Sequence, residues 1–170
     1  MLNNRHSMRC FLPKPVSQGD LRKILLAANS APSAGDLQAY KIFVAKKRET
    51  RIAIAKAASQ DFLCEPPVIL VFFADAGASA VKYGKRGETL YSIQDAAIAC
   101  SYAQLATAAL GLSSVWVGGF DSAEAKKACG KEFAKAGLVP VSILPVGFAS
   151  AGYSATSRKP LADVAIEEKD

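Results

Sequence analysis

The longest hydrophobic pattern in the chain is an alanine-rich stretch over residues 91–110, which the sequence predicts to be one helix. Alanine is the best helix former, and the apolar positions wrap around most of the helix, so we expect it to be buried nearly all round. Gly111 follows as a candidate C-cap. Small side chains suit packing against other helices or against a second copy of the helix. A transmembrane span is disfavoured, because Gln94, Asp95 and Gln104 would each need a partner in lipid.

Shorter apolar runs predict strands that alternate with helices. The predicted strands are 40–45, 68–73, 114–117, 139–147 and 161–166, and the other predicted helices are 21–29, with Ser17 as its N-cap, 48–58 and 123–129. The run at 68–73 is continuously apolar, which is typical of a strand covered on both faces. Pro140 and Pro145 indicate an edge strand or a bulge, and residues 75–88, with three glycines, indicate a polar loop. This alternation predicts an α/β or α+β sandwich formed by a single domain, residues 1–170.

The composition indicates an ordered globular protein, with 51% hydrophobic and 21% charged residues. The four cysteines share no CxxC spacing, so free thiols in a reducing cytoplasm are the simplest interpretation. His6 is the only histidine, which argues against a metal site and excludes a Ser/His/Asp triad elsewhere. No signal peptide is predicted, and no GxGxxG or Walker motif is present. We therefore expect a cytoplasmic protein without a metal or a membrane partner.

The net charge of +6 is concentrated near the N-terminus. Residues 1–51 contain ten Lys or Arg and three Asp or Glu, whereas residues 52–170 contain eleven and twelve. Such a basic region could bind nucleic acid, or it could hold a small anion such as a phosphate while the other lysines are solvated. No recognition helix or aromatic-interleaved basic run accompanies the charge, so the pattern disfavours nucleic acid.

Three polar residues alternate at the start of the chain. In an extended backbone, Arg5, Ser7 and Arg9 point to one side. Two guanidinium groups beside a hydroxyl form a good cradle for a dianionic phosphate. The alternative is a basic, loosely held N-terminal arm, and the residue pattern alone does not separate the two interpretations.

Two further segments could contact a ligand. Residues 30–39 form a predicted loop of small and polar residues, which is longer than most connections and therefore favours function over an ordinary turn. Gly118 and Gly119 follow a predicted strand. Paired glycines let a ligand approach the backbone N–H groups, although a tight turn with positive φ would also require them.

Six pieces of the sequence, in this order and spacing, resemble the nitroreductase family of FMN-dependent NAD(P)H oxidoreductases. They are RHSMRCF at 5–11, APSAGDLQ at 31–38, EPPVILV at 65–71, IQDAA at 93–97, GLSSVWVGGF at 111–120 and RKPL at 158–161. The resemblance implies an α+β sandwich with a mostly antiparallel central sheet flanked by helices. It also implies an intertwined homodimer with FMN at the subunit interface, the 91–110 helix in the dimer core and the strand at 161–166 added to the partner's sheet.

The resemblance also implies which residues bind the cofactor. The FMN phosphate and ribityl chain would be held by Arg5, Ser7, Arg9 and Arg158, with His6 in the same set. Pro32, Ser33, Ala34 and Asp36 would lie along the isoalloxazine, Gly118 and Gly119 would face N5 and O4, and Gln60 is a further candidate for a polar flavin contact. No side chain need act as a catalytic acid or base, because the flavin carries the chemistry.

Asp36 departs from the family pattern, which usually has Asn at this position. An Asp can accept a hydrogen bond from the flavin N3–H, but it cannot donate as an amide does. If ionised, it would also disfavour the anionic reduced flavin and lower the redox potential.

The predicted function is the transfer of a hydride from NAD(P)H to FMN, followed by reduction of a small-molecule acceptor such as a nitroaromatic or a quinone in a ping-pong cycle. Two alternatives stay open at this stage. One is a flavin-binding or flavin-modifying protein of the same fold without ordinary NAD(P)H turnover. The other is a basic nucleic-acid-binding protein.

Overall fold

The fold is built on an antiparallel sheet of five strands, described in a computed structural model that covers residues 5–153 and 156–168. The strands are β1 (Phe11–Leu12), β2 (Tyr40–Ala45), β3 (Val68–Asp75), β4 (Ser113–Ser114) and β5 (Leu138–Ala149). They are ordered β1-β5-β3-β2, and β4 also pairs with β5. All these strand pairs are antiparallel, which confirms the predicted α+β sandwich.

Five α-helices flank the sheet, and their ends follow the predicted capping chemistry. They are α1 (Gln18–Asn29), α2 (Arg48–Ala58), α3 (Ala76–Arg86), α4 (Ser92–Ala109) and α5 (Ser122–Ala128). The Ser17 side chain accepts a hydrogen bond from the Asp20 N–H at the start of α1, and Asp121 caps α5 in the same way. Gly111, just after α4, has a φ of 71°, as expected for a C-cap glycine.

The strand β3 is buried on both faces, as its continuous apolar run predicts. Leu70 and Phe72 pack in the hydrophobic cluster under α1 and α4, whereas Ile69, Val71 and Phe73 pack in the cluster under α2 and α5. The alternation follows from the two-residue period of a strand. The sheet therefore separates two cores, and β3 contributes to both.

The prolines of β5 lie in a central strand, so the edge-strand alternative is wrong, whereas the predicted bulge is confirmed. Phe72 pairs with Ser142 and Phe73 pairs with Pro140, so Val141 is an extra residue in β5 and the register shifts there. Ile143 exchanges hydrogen bonds with Val117 across the other edge of β5. Strand N–H groups alternate in direction, so the nitrogen of Pro145 points to the same edge of β5 as the N–H of Ile143. At this position, between Val117 and β4, the edge forms no ladder hydrogen bond, so a residue without an N–H is tolerated.

The predicted loop at 75–88 is a helix, so that prediction was wrong. Asp75 caps α3 by accepting a hydrogen bond of 3.0 Å from the Ala78 N–H. Of the three glycines in this segment, only Gly84 leaves helical geometry, with a φ of 54°. A single turn of π-helix, Gly87–Tyr91, then joins α3 to α4. The glycines concealed a helical segment in the sequence, because glycine is a poor helix former on average.

The strand predicted at 161–166 is also absent from the part of the chain that the structure describes. Residues Leu161–Asp163 form one turn of 3-10 helix instead. Leu161, Val164 and Ile166 are 76%, 66% and 94% exposed. An isolated extended segment cannot satisfy its backbone hydrogen bonds, and no strand of the same chain lies beside it in the described residues.

The long helix α4 is buried on only one side within the single chain, which corrects the prediction of burial all round. Ala96, Ala99 and Ala103 are fully buried, whereas Ile93 and Tyr102 are each 39% exposed. The buried side packs against α1 and the sheet. Among the described residues, no helix combines the length and hydropathy that a membrane crossing requires.

All four cysteines are free thiols. Cys10 is exposed and Cys64 is half-buried. Burial raises the pKa of Cys100 and of Cys129 to about 12, so both thiols stay protonated at neutral pH. Protonated buried thiols behave as small apolar side chains, and these two belong to the two cores of the sandwich.

We expect Gly87→Ala to lower the free energy of unfolding by about 1–3 kcal/mol, because overpacking a close contact forces the backbone to move. A Cβ at residue 87 would lie 2.7 Å from the Ser79 carbonyl carbon. The φ of Gly87 is −62°, so the backbone conformation itself does not require glycine. The matched control is Gly77→Ala in α3, where the nearest atom to the new Cβ is 3.7 Å away. That variant should gain up to about 1 kcal/mol from helix propensity. Equal denaturation midpoints for the two variants would contradict the steric explanation.

Candidate functional site

One cavity brings together residues from both ends of the chain. It has a volume of about 510 Å³ and is lined by Arg5, His6, Ser7, Met8, Arg9, Gly152, Tyr153, Thr156 and Arg158. The predicted phosphate-binding residues therefore converge, although Arg158 is far from the others in sequence. Among the described residues that line the cavity there is no carboxylate. Three guanidinium groups without an acidic neighbour suit a doubly charged anion.

The N-terminal residues of this cavity are held in place by the sheet. Ser7 forms a parallel bridge with Ser114, and the Met8 N–H donates to the Ser114 carbonyl at 3.0 Å. The structure therefore favours an ordered cradle over the loosely held arm. Arg5 and Arg9 line the same cavity as Ser7, but so do His6 and Met8 between them, so the alternation itself stays a prediction.

An aromatic contact joins the two chain segments that form the cavity. The ring of His6 stacks on that of Tyr153, with centroids 3.3 Å apart and an angle of 18° between the rings. Arg158 donates to the Thr156 hydroxyl at 2.9 Å. The His6 Nε2 atom is buried and has no hydrogen-bond partner among the described residues. The stacking therefore holds the C-terminal segment beside the N-terminal cradle, and the Arg158 bond lies within the C-terminal segment.

A second cavity, of about 500 Å³, lies between the 30–39 loop and α4. It is lined by Pro32, Ser33, Ala34, Tyr91, Gln94, Asp95, Ala97 and Ile98. The Ala34 N–H donates to Asp95 Oδ1 at 2.9 Å, and the Gln38 N–H donates to the Ser33 hydroxyl at 2.9 Å. Three of the four predicted isoalloxazine residues therefore line this cavity, and the fourth, Asp36, does not.

Asp36 has a conformation that the sequence analysis did not anticipate. Its φ is 57°, in the left-handed region, where Asn and Asp are the most frequent residues after glycine. The side chain is exposed, and the backbone N–H donates to the Ser33 carbonyl at 3.1 Å. The departure from Asn therefore suits the backbone at this position, and water screens much of the charge of the carboxylate.

The paired glycines do not form a turn with positive φ, so the tight-turn interpretation is wrong. Gly118 and Gly119 are exposed and are not among the described glycines with positive φ. A Cβ at Gly119 would meet no atom within 4 Å, and one at Gly118 would meet only the Trp116 indole, at 3.7 Å and beyond. Nothing within the described chain requires glycine at Gly119, and the exposed backbone there is open to close approach by another molecule.

These glycines lie on the same edge of β5 as the cradle. Val117 bridges to Ile143, just as Ser114 pairs with β5 beside Ser7. Gln60 follows α2, and the Ala57 carbonyl near the end of that helix accepts a hydrogen bond from the Asp121 N–H at 2.8 Å. The glycine pair therefore lies in the chain between Val117, which bridges to β5, and Asp121, which is bonded to the end of α2.

The predicted site residues thus form two groups. We call the first the arginine half-site; it comprises Arg5, His6, Ser7, Arg9 and Arg158, whereas Gly118, Gly119 and Gln60 line neither of the two cavities. We call the second the loop half-site; it comprises Pro32, Ser33, Ala34 and Asp36. The first is joined to Ser114 beyond the C-terminal end of α4, and the second to Asp95 in its first turn. The 14 residues from Asp95 to Ala109 rise about 21 Å, so the half-sites lie at opposite ends of the helix.

Sequence reasoning missed several residues of the two cavities. Asp95 was noted only as a polar residue in the long helix and as part of the IQDAA piece, and no role was assigned to it. Its burial was the available signal, because an acidic residue within an apolar stretch is seldom buried without a specific partner. Tyr91 and Tyr153 gave no signal, because the chain segments that bring them to the cavities were predicted as a helix end and as coil.

Comparisons with known proteins agree with this architecture. The sequence model of the Nitroreductase family matches residues 2–63 and 52–148. A relative in Archaeoglobus fulgidus, whose name contains the terms NADH dehydrogenase and NAD(P)H nitroreductase, is 30% identical over 154 residues, which are 90% of this chain and 83% of the relative.

Solved structures are similar as well. The structure of B. megaterium NfrA2 has a TM-score of 0.88 at 25% identity and covers 99% of this chain and 72% of that chain. An FMN-dependent nitroreductase from Clostridium difficile R20291 has a TM-score of 0.76 at 26% identity, with 92% of each chain covered. The family match includes the segments of both half-sites and ends before Arg158.

Proposed function

This chain belongs to the nitroreductase family, and from that premise we propose that it is an FMN-dependent oxidoreductase that uses NAD(P)H and acts as a homodimer. The observation that carries the proposal is the convergence of Arg5, Arg9 and Arg158 with the Ser7 hydroxyl around one cavity without a carboxylate. The names of an FMN reductase and an FMN-dependent nitroreductase among the similar proteins support the choice of cofactor.

The residues present fit FMN. The arginine half-site offers charge-assisted and bidentate donors for the phosphate, and the exposed backbone at Gly118 and Gly119 can approach a flat ring. The loop half-site offers the Ser33 hydroxyl beside the apolar surfaces of Pro32 and Ala34. When bound, FMN would supply the two-electron chemistry that links NAD(P)H oxidation to reduction of an acceptor.

A dimer would complete this site. The phosphate and the pyrimidine edge of one FMN cannot contact both half-sites of one chain, because the half-sites lie at opposite ends of α4. Two antiparallel copies of α4, packed through the face that exposes Tyr102, would bring the arginine half-site of one chain to the loop half-site of the other. The exposed apolar residues at 161–166 would then be available to pair with the partner's sheet, as the family resemblance implies.

In this proposal the protein's own groups bind and orient rather than transfer protons. The three arginines would neutralise the phosphate. The backbone N–H groups at Gly118 and Gly119 would stabilise negative charge near the reacting edge of the flavin, because preorganised donors are most effective where charge develops. The open surroundings of the glycine pair leave space for a planar donor or acceptor molecule. A nitroaromatic or a quinone has the right shape for the acceptor.

The first measurement is the visible absorption spectrum of purified protein supplied with FMN, recorded before and after anaerobic addition of NADH or NADPH. We expect a protein-bound flavin spectrum that bleaches on addition of the nucleotide. A bound flavin that does not bleach would instead support a flavin-binding protein without ordinary turnover. Protein that takes up no FMN would contradict the proposed function.

We expect the double variant Arg5→Ala and Arg9→Ala to bind FMN at least about a hundredfold more weakly, because each of the two lost charge-assisted hydrogen bonds contributes about 1.5–3 kcal/mol. Fluorescence titration of FMN gives the dissociation constant. The control is Lys126→Ala and Lys127→Ala, which removes the same charge from α5, outside both half-sites. Equal affinity for the arginine variant and the wild type would refute the phosphate assignment.

We also expect sedimentation equilibrium to give one species of twice the 17.9 kDa chain mass. The variant Tyr102→Glu places a charge on the exposed face of α4 and should shift the species toward the monomer, with loss of FMN binding. A monomeric wild type that binds FMN with full affinity would rule out the shared site.

A further inference from the structure

Asp95 is a buried carboxylate for which the proposed function gives no role. The residue is only 2% exposed, and it lies in the first turn of α4. Oδ1 accepts the Ala34 N–H at 2.9 Å, whereas Oδ2 is buried and has no hydrogen-bond partner among the described residues. No described Lys or Arg forms an ion pair with Asp95. A buried charge with one bond and no counter-ion is costly, so its retention needs a reason beyond stability.

The position of Asp95 ties it to the loop half-site. It lines the same cavity as Pro32, Ser33 and Ala34. Its single described hydrogen bond holds the backbone N–H of Ala34. The other described hydrogen bonds of residues 33–37 lie within the loop. The Gln38 N–H donates to the Ser33 hydroxyl, the Asp36 N–H to the Ser33 carbonyl and the Leu37 N–H to the Ala34 carbonyl. The carboxylate is therefore the contact that joins this loop to the rigid helix α4.

The negative charge of Asp95 also acts on its surroundings. Burial, and after it the Asp95 carboxylate, raises the pKa of Tyr40, whose hydroxyl donates to the Ala28 carbonyl at 3.0 Å. Asp36 carries the same type of charge on the same loop, but its side chain is exposed. A buried charge is screened far less than an exposed one, so Asp95 should influence a group bound at the loop more strongly than Asp36 does.

We propose that Asp95 is a positioning residue of the flavin site: Oδ1 fixes the loop half-site through the Ala34 N–H, and the buried charge lowers the reduction potential of the flavin held there. This inference rests on the proposed function. A negative charge near the flavin disfavours the reduced form when that form is anionic, so removal of the charge should make the potential more positive. No proton transfer by Asp95 is involved.

The chain offers variants that separate the hydrogen bond from the charge. Asp95→Asn keeps an oxygen that can accept the Ala34 N–H, and its amide nitrogen takes the place of Oδ2, which has no described partner. This variant therefore removes the charge but keeps every described hydrogen bond of Asp95. Asp95→Ala removes both. Asp36→Asn is the matched control, because it makes the same chemical change at an exposed position of the same loop.

The experiment measures three quantities on the full chain. The FMN dissociation constant should rise about tenfold for Asp95→Ala and stay within about threefold for Asp95→Asn, as expected for the loss of one hydrogen bond to a charged group. The midpoint potential of bound FMN, from dye-equilibrated reduction, should become more positive in Asp95→Asn, and by more than in Asp36→Asn. Hydrogen exchange without FMN should accelerate at the Ala34 amide in Asp95→Ala and remain at the wild-type rate in Asp95→Asn.

The outcomes distinguish this inference from the proposed function. If the wild type binds no FMN, the proposed function fails, and the flavin role of Asp95 fails with it. If the wild type binds FMN but Asp95→Ala binds it equally well with unchanged Ala34 exchange, only the positioning role is overturned. An Asp95→Asn potential equal to that of the wild type, or shifted no more than that of Asp36→Asn, overturns the electrostatic role. Thermal unfolding of each variant shows whether Asp95→Ala is folded, and Asp95→Asn provides the test if it is not.

Discussion

The antiparallel pairing of β3 with β5 is the interaction on which the rest of this structure depends. It places eight residues of β3 against β5 and separates the two hydrophobic cores. The opposite edge of β5 remains available to three short partners, β1, β4 and Val117. These partners carry the cradle and the glycine pair. A strand that is central for stability therefore also determines where the arginine half-site is built.

Much of the fold could be predicted from the sequence because its signals are local. The two-faced burial of β3, the Ser17 and Asp121 caps and the Gly111 C-cap all depend on neighbouring residues. Predictions failed where the outcome depends on distant packing. Residue 87 is a glycine because the Ser79 backbone packs against it, not because the chain turns there, and Pro140 lies in a central strand because a bulge accommodates it. The 161–166 segment lacks a strand partner within the described chain.

The candidate site shows the same division between local and distant information. Motif spacing predicted the arginines, Ser33, Ala34 and the glycine pair as site residues, but it could not show that the arginines and the loop residues lie at opposite ends of α4. That separation is a property of the folded helix, and it is the reason why the proposed flavin site needs a second copy of the chain. Asp95 was visible in the sequence as a polar residue, yet only its burial and its bond to Ala34 indicate a role.

The stacking of His6 on Tyr153 has a consequence for the order of events during synthesis. The cradle needs residues 5–9 and Arg158, which are separated by nearly the whole chain. Chains grow from the N-terminus, and their earlier parts can fold while synthesis continues. The sheet and helices could therefore form while the phosphate-binding cavity is still open on one side. If the cavity binds the FMN phosphate as proposed, full affinity would arise only after residue 158 has left the ribosome, and cofactor loading would be a late step in the maturation of the protein.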